Sequence, residues 1–125
     1  MGAGPEEAGM NRSRNELGSE VGVDQALSLV AEESHTVLDV RSAEEFRLAR
    51  IAGSTNVPIE ELASRYVDTL HGGRRVICVC RAGERSLRAA EALRRAGYHV
   101  EVLRGGLKAW EEAGGPLEPA EASVP

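Results

Sequence analysis

Arg75-Val76-Ile77-Cys78-Val79-Cys80, followed at once by Arg81-Ala82-Gly83-Glu84-Arg85-Ser86, is the stretch on which the reading of the whole chain turns. Val76 to Cys80 is the longest unbroken apolar run, and its length suits a strand buried on both faces. The next six residues are polar apart from Ala82 and contain a glycine. From Ser86 to Ala96 the apolar residues Leu87, Ala90 and Leu93 recur at helical spacing, and Gly97 closes the segment. The stretch therefore predicts a buried strand, a tight turn and a helix, with Ser86 as the expected helix cap.

Working outward, the same alternation repeats. Ala26, Leu27, Val30 and Ala31 predict a helix with Asp24 placed to cap it. Thr36 to Val40 reads as a short strand, and Ser42 as the cap of a helix carrying Glu44, Glu45, Phe46 and Leu48. A short extended piece ends at Val57. Ile59, Leu62, Ala63 and Tyr66 follow at helical spacing, Gly72-Gly73 is a turn, His99 to Leu103 is a strand, and Leu107 to Glu112 is a last helix. Strands without clean polar alternation, interleaved with helices, predict an α/β fold with a parallel sheet covered on both faces. In such folds a ligand sits beyond the carboxyl ends of the strands, beside a helix N-terminus. The Cys80–Ser86 segment falls at such a point.

Composition bounds the rest. With 125 residues the chain has room for one core, and 42% hydrophobic with 28% charged residues is the balance of a soluble domain. Phe46, Tyr66, Tyr98 and Trp110 are its only aromatics, so the core is expected to be aliphatic. No run approaches membrane-spanning length, and the N-terminus lacks the apolar stretch of a secretory signal. A net charge of −5 argues against a nucleic-acid partner. Residues 1–20 are expected as a flexible acidic arm, 21–115 as the folded domain, and 116–125 as a flexible tail. Arg74 to Arg88 runs against the acidic balance, with five arginines to one acid, and suggests a local anion site. Two cysteines and three scattered histidines offer neither a disulfide framework nor a metal cluster, so no metal or cofactor is expected and a reducing cytoplasm is the default compartment.

The chemistry points to Cys80. A loop bent around it aims backbone N–H groups inward as an anion nest. Gly83 permits the curvature, the helix start adds partial positive charge, and Arg81 and Arg85 add more. Each favours a thiolate, the nucleophilic form of cysteine. Cys78, between Ile77 and Val79, reads as core packing.

Cys80-Arg81-Ala82-Gly83-Glu84-Arg85-Ser86 closely resembles the active-site loop of rhodanese-family sulfurtransferases, which usually read Cys-Arg-x-Gly-x-Arg-Ser. Asp39-Val40-Arg41-Ser42-Ala43-Glu44-Glu45-Phe46, continuing through Ile51 to Pro58, looks like the upstream signature of that family. Gly105-Gly106-Leu107-Lys108-Ala109-Trp110 is similar to its C-terminal block. The resemblance implies a five-stranded parallel sheet with helices on both faces. It implies Cys80 as nucleophile and the backbone of Arg81, Ala82, Gly83, Glu84, Arg85 and Ser86 as the substrate cradle. Asp39 and Arg41 fall at a neighbouring strand end; Arg41 is expected to pair with an acid such as Glu45, and Trp110 to anchor the core. Ala49-Arg50 depart from the usual Gly-His and put the local turn in doubt.

The activity so implied is transfer of a sulfane sulfur from thiosulfate or a similar donor, through a Cys80 persulfide, to cyanide, a thiol or a dithiol protein. Two rivals remain open: a non-catalytic sulfur-carrier or regulatory module, and a cysteine-dependent phosphatase or arsenate reductase. Against the latter stands loop length, since four residues separate Cys80 from Arg85 where the phosphatase signature has five.

Overall fold

The computed structural model describes residues 20–70 and 74–125. Its elements in chain order are β1 (Glu20–Val21), α1 (Val23–Glu32), β2 (His35–Asp39), α2 (Ala43–Leu48), β3 (Thr55–Asn56), a 3-10 turn (Ile59–Glu61), α3 (Leu62–Thr69), β4 (Arg75–Val79), α4 (Glu84–Arg95), β5 (Val100–Leu103) and α5 (Gly106–Glu112). The strands form one five-stranded sheet in the order β1-β5-β4-β2-β3, and every pairing is parallel. β4 is central. Its Cys78 lies opposite Leu38 of β2 on one side and Val102 of β5 on the other.

That position explains the apolar run. A central strand has helices over both faces, so both sets of alternating side chains are buried. Val76, Cys78 and Cys80 belong to one core layer with Leu38, Val40, Ala90 and Leu93. Ile77 and Val79 belong to the opposite layer with Val21, Leu103, Leu107 and Trp110. Two of the three alanines of α4, Ala89 and Ala90, are buried against the first layer. No helix among the described residues is long and apolar enough to cross a membrane.

Several boundaries differ from expectation. Asp24 is in the first turn of α1 rather than its cap, which is Gly22. α4 begins at Glu84, so Ser86 is not the cap; it sits inside the first turn, buried, and Gly83 precedes the helix. Glu20 belongs to β1, where Arg104 Nε donates to its Oε1 at 3.2 Å, and not to an arm. The rest of that arm, residues 1–19, lies outside the described residues, as does the Gly72-Gly73 turn.

The expected flexible tail 116–125 packs on the body instead. Glu118 exchanges backbone hydrogen bonds with Arg50 at 3.0 and 2.7 Å, and Val124 is buried in the second core layer. Composition misled here because two apolar residues, Leu117 and Val124, are enough to fasten a Pro- and Glu-rich segment to a preformed surface.

Trp110 is the largest fully buried side chain, 1% exposed, and its indole Nε1 donates to Pro116 O at 2.8 Å. Trp110→Ala is expected to destabilise the fold by about 3–5 kcal/mol. A urea midpoint equal to that of the unaltered chain would contradict this.

Candidate active site

β4 ends at Val79, and Cys80 lies just past it at the base of a short turn, 1% exposed. The turn folds back over the sulfur. The Gly83 amide donates to Cys80 Sγ at 3.0 Å and the Ser86 amide at 3.3 Å, with Ser86 Oγ 3.4 Å away. Gly83 has φ 123°, a value only glycine adopts without strain, and a Cβ there would meet nothing within 4 Å. The requirement at Gly83 is therefore backbone conformation and not space. The Ser86 hydroxyl also donates to Gly83 O at 3.1 Å. A hydroxyl rotates to suit its neighbours, so it can accept from a thiol S–H or turn to donate to a sulfur anion.

Amides pointing in leave carbonyls pointing out, and α5 receives them. Leu107 N–H donates to Cys80 O at 2.8 Å, and Lys108 N–H to Arg81 O at 3.0 Å. This needs close approach. A Cβ on Gly106 would lie 2.5 Å from Arg81 O and 2.6 Å from Cys80 O. Gly106 of the C-terminal block is thus a contact point for the Cys80 loop. From sequence alone the Gly105-Gly106 pair reads as a turn, because nothing in the linear order says which backbone a glycine will meet.

The loop is fastened on its other side by an ion pair. Arg85 donates to both oxygens of Glu45, at 2.8 and 3.2 Å. Glu45 is itself fixed by a capping box at the start of α2, with Ser42 N–H donating to its Oε1 at 3.0 Å and its own amide donating to Ser42 Oγ at 3.1 Å. The Arg85 hydrogen bonds foremost, and the Ser42 amide after them, hold the Glu45 carboxyl down at about 2. The Arg85 guanidinium is raised in return, chiefly by Glu45. Arg85 therefore serves the frame of the loop, its charge already met by a carboxylate.

Arg41 does not pair with Glu45, as expected from sequence, but with Asp39. Both side chains are fully buried; Arg41 Nη2 donates to Asp39 Oδ2 at 2.7 Å and Nε to Oδ1 at 2.9 Å. The remaining reach of Arg41 Nη2 goes to Ala49 O at 2.6 Å, while Nη1 is buried with no hydrogen-bond partner among the described residues. The spacing of two residues on one strand end makes this local pairing shorter than any reach to α2. Asn56, within the upstream block but with no role legible from sequence, ties the same strand end by donating to Asp39 O and Arg41 O at 3.0 and 2.9 Å. Arg50, in the place where the sequence departs from the usual pattern, lies over the Phe46 ring at 5.5 Å and pairs with Glu118.

The cationic cluster read between Arg74 and Arg88 is divided by the fold. Arg74 and Arg75 stand at the start of β4, and Cys80 past its end, roughly 17 Å of strand away. Arg74 is engaged there by Thr36 Oγ1 and Glu33 O. Of the remaining arginines, Arg81 is the exposed one on the loop itself. Cys78 is buried, and burial pushes its thiol well above the ordinary range, which suits a packing role.

The arrangement is a single sulfur enclosed by amides at the carboxyl end of the central strand. Over residues 22–113 the chain matches the family described as the rhodanese-like domain. It is 31% identical over 108 residues to thiosulfate sulfurtransferase GlpE of Actinobacillus succinogenes, a match covering 86% of this chain and 96% of the relative. It is 38% identical over 86 residues to an HTH-type transcriptional regulator of Mycobacterium tuberculosis, covering 66% of this chain but only 37% of that protein. Among solved structures, a rhodanese-related protein from Thermoplasma volcanium superposes with a TM-score of 0.73 at 31% identity, over 78% of this chain and 95% of that one.

Glu45 yields a pH prediction. Its carboxyl is held at about 2 in the fold against an ordinary 4.5, so its stabilisation is present above 4.5 and is lost as pH falls toward 2. Glu45→Gln is expected to lower the urea midpoint at pH 7, with the gap to the unaltered chain closing between pH 4.5 and 2. A gap that stays constant through that window contradicts the assignment. Gly106→Ala is expected to cost about 1–3 kcal/mol, since the methyl would strike loop backbone. A midpoint matching the unaltered chain's in the same titration would show that α5 does not press on the loop.

Proposed function

This chain belongs to the rhodanese-like family, and from that premise we propose that it is a sulfurtransferase that carries a sulfane sulfur on Cys80. The observation that carries the proposal is the pair of amides, Gly83 N–H and Ser86 N–H, aimed at Sγ from 3.0 and 3.3 Å. A pair of donors that close suits one sulfur anion, as an oxyanion hole suits one oxygen.

The reaction is a double displacement. The Cys80 thiolate attacks the outer sulfur of thiosulfate, a Cys80 S–S bond forms, and the S–S bond of the donor breaks. Its electron pair leaves with sulfite, a stable dianion that needs no general acid. That agrees with a loop whose side chains include no histidine. The persulfide now bears its negative charge on the terminal sulfur. An acceptor then attacks that sulfur and the Cys80 thiolate is returned: cyanide leaves as thiocyanate, or a thiolate leaves as its own persulfide. During both steps the amides stay fixed while charge moves from one sulfur to the next, so little reorganisation is required.

No protein side chain transfers a proton in this scheme. Arg85 and Glu45 hold the loop, Asp39 and Arg41 hold the adjoining strand end, and the α5 amides keep the loop carbonyls turned away. The four-residue spacing between Cys80 and Arg85 also argues against phosphatase or arsenate-reductase chemistry, whose oxyanions need a wider bowl.

A second reading is favoured by one observation. Cys80 is almost wholly enclosed, which also suits a carrier or regulatory module that holds a sulfur and does not turn over. Steady-state thiosulfate:cyanide transfer separates the two. The unaltered chain is expected to turn over repeatedly, while Cys80→Ala and Cys80→Ser fall to background. A single equivalent of thiocyanate with no further turnover would favour the carrier, and equal rates in Cys80→Ala would end the proposal.

A further inference from the structure

Residues 116–125 follow the stretch 22–113 that matches the family, and they return to the site. Trp110 holds Pro116 O, Leu117 packs on the core, and the Glu118 backbone pairs with Arg50. The chain then doubles back. Val124 enters the same core at 5% exposure, and its amide donates to Glu111 Oε2 at 3.0 Å. That hydrogen bond is the main cause holding the Glu111 carboxyl below its ordinary range. One residue later, Pro125 O accepts from Arg81 Nε at 2.9 Å.

Arg81 is therefore gripped twice. Its main-chain carbonyl is taken by Lys108 N–H and its side chain by the end of the 116–125 segment. Lys108 Nζ in turn reaches Glu111 Oε1 at 3.3 Å, so the residues that hold the loop and those that hold the segment share one carboxylate. The two loop arginines now differ. Arg85 is neutralised by Glu45, whereas Arg81 has no acidic side chain as partner among the described residues. Its Nε edge is occupied and its two terminal nitrogens have no hydrogen-bond partner there. A guanidinium fixed along one edge presents the other as a rigid pair of donors, matched to two oxygens of one anionic group.

We propose that residues 117–125 are a positioning strap, which orients the Arg81 side chain at the rim of the Cys80 loop so that its free N–H pair receives the oxyanion end of the sulfur donor. This rests on the sulfur-transfer reading above. The donor it fits is small and carries negative oxygens beside the transferable sulfur, as the sulfonate end of thiosulfate does. With the strap released, donor binding must itself order Arg81. Immobilising one such side chain is worth roughly a three- to tenfold change in affinity.

The test uses the full chain with Val124→Asp, and a second form lacking only Val124 and Pro125, with thiosulfate varied and cyanide saturating. Both are expected to raise KM for thiosulfate roughly three- to tenfold with kcat unchanged, while Val124→Ile, which keeps the anchor, restores the original KM. In an Arg81→Ala background, releasing the strap is expected to add nothing, because the two changes remove one interaction. A KM that stays constant overturns the proposal, and one that falls would make the strap a competitor for Arg81. A further rise in the Arg81→Ala background would mean that the strap acts elsewhere. A chain that transfers no sulfur overturns the reading beneath the proposal, and is told apart by the absence of any thiosulfate-dependent rate.

Discussion

The polarity of one turn governs this structure: between Cys80 and Ser86 the backbone must direct amides at a buried sulfur and carbonyls away from it. Inside a fold neither set is left without a partner at low cost. The inward amides meet Sγ. The outward carbonyls of Cys80 and Arg81 need donors of their own, and α5 supplies two of them through Leu107 and Lys108. That in turn requires a residue without a side chain at Gly106 and a helix seated firmly enough to stay pressed on the loop, which Trp110 provides from the second core layer. The C-terminal helix thus takes part in the site through its backbone amides.

The same turn explains the cross-links on its other flank. Glu45 caps α2 through Ser42 and grips Arg85, so a local capping motif and a long-range ion pair share one carboxylate. The buried Asp39–Arg41 pair and Asn56 fix the end of β2 beside β4, where Val40 N–H donates to Val79 O. Charge near the site is therefore mostly balanced within the frame. Among the described residues the loop arginine without an acidic side chain as partner is Arg81, exposed at the rim and tied to the chain's own returning segment.

Much of this was legible in the residues. The apolar run of β4 announced a central strand, and a polar Gly-containing turn after it announced the nest around Cys80. Ser42 announced the cap of α2, and Trp110 the core anchor. Most of the misreadings share a cause: a partner distant in sequence. Glu45 and Arg85 are forty residues apart, so from sequence alone Arg41, near at hand, takes the acid that belongs to Arg85. Gly106 reads as a turn until the backbone it touches is known. Ser86 reads as a cap until the helix is seen to start at Glu84. Arg74 and Arg88 look like one patch until a strand separates its ends. The Pro-rich C-terminal residues look free because two apolar anchors are a weak signal without the surface they fit.

The central claim is that Cys80, and not its neighbour Cys78, carries sulfur beneath the Gly83 and Ser86 amides. Its most direct measurement is the mass of the full chain after incubation with thiosulfate, with released sulfite measured in the same solution. The account predicts one added sulfur atom per chain, located on the peptide that contains Cys80, matched by one sulfite and removed by cyanide. Because Cys78 lies on that same peptide, the Cys78→Ala chain must load equally and the Cys80→Ala chain not at all. An unchanged mass, or a Cys80→Ala chain that still gains the sulfur, would contradict it.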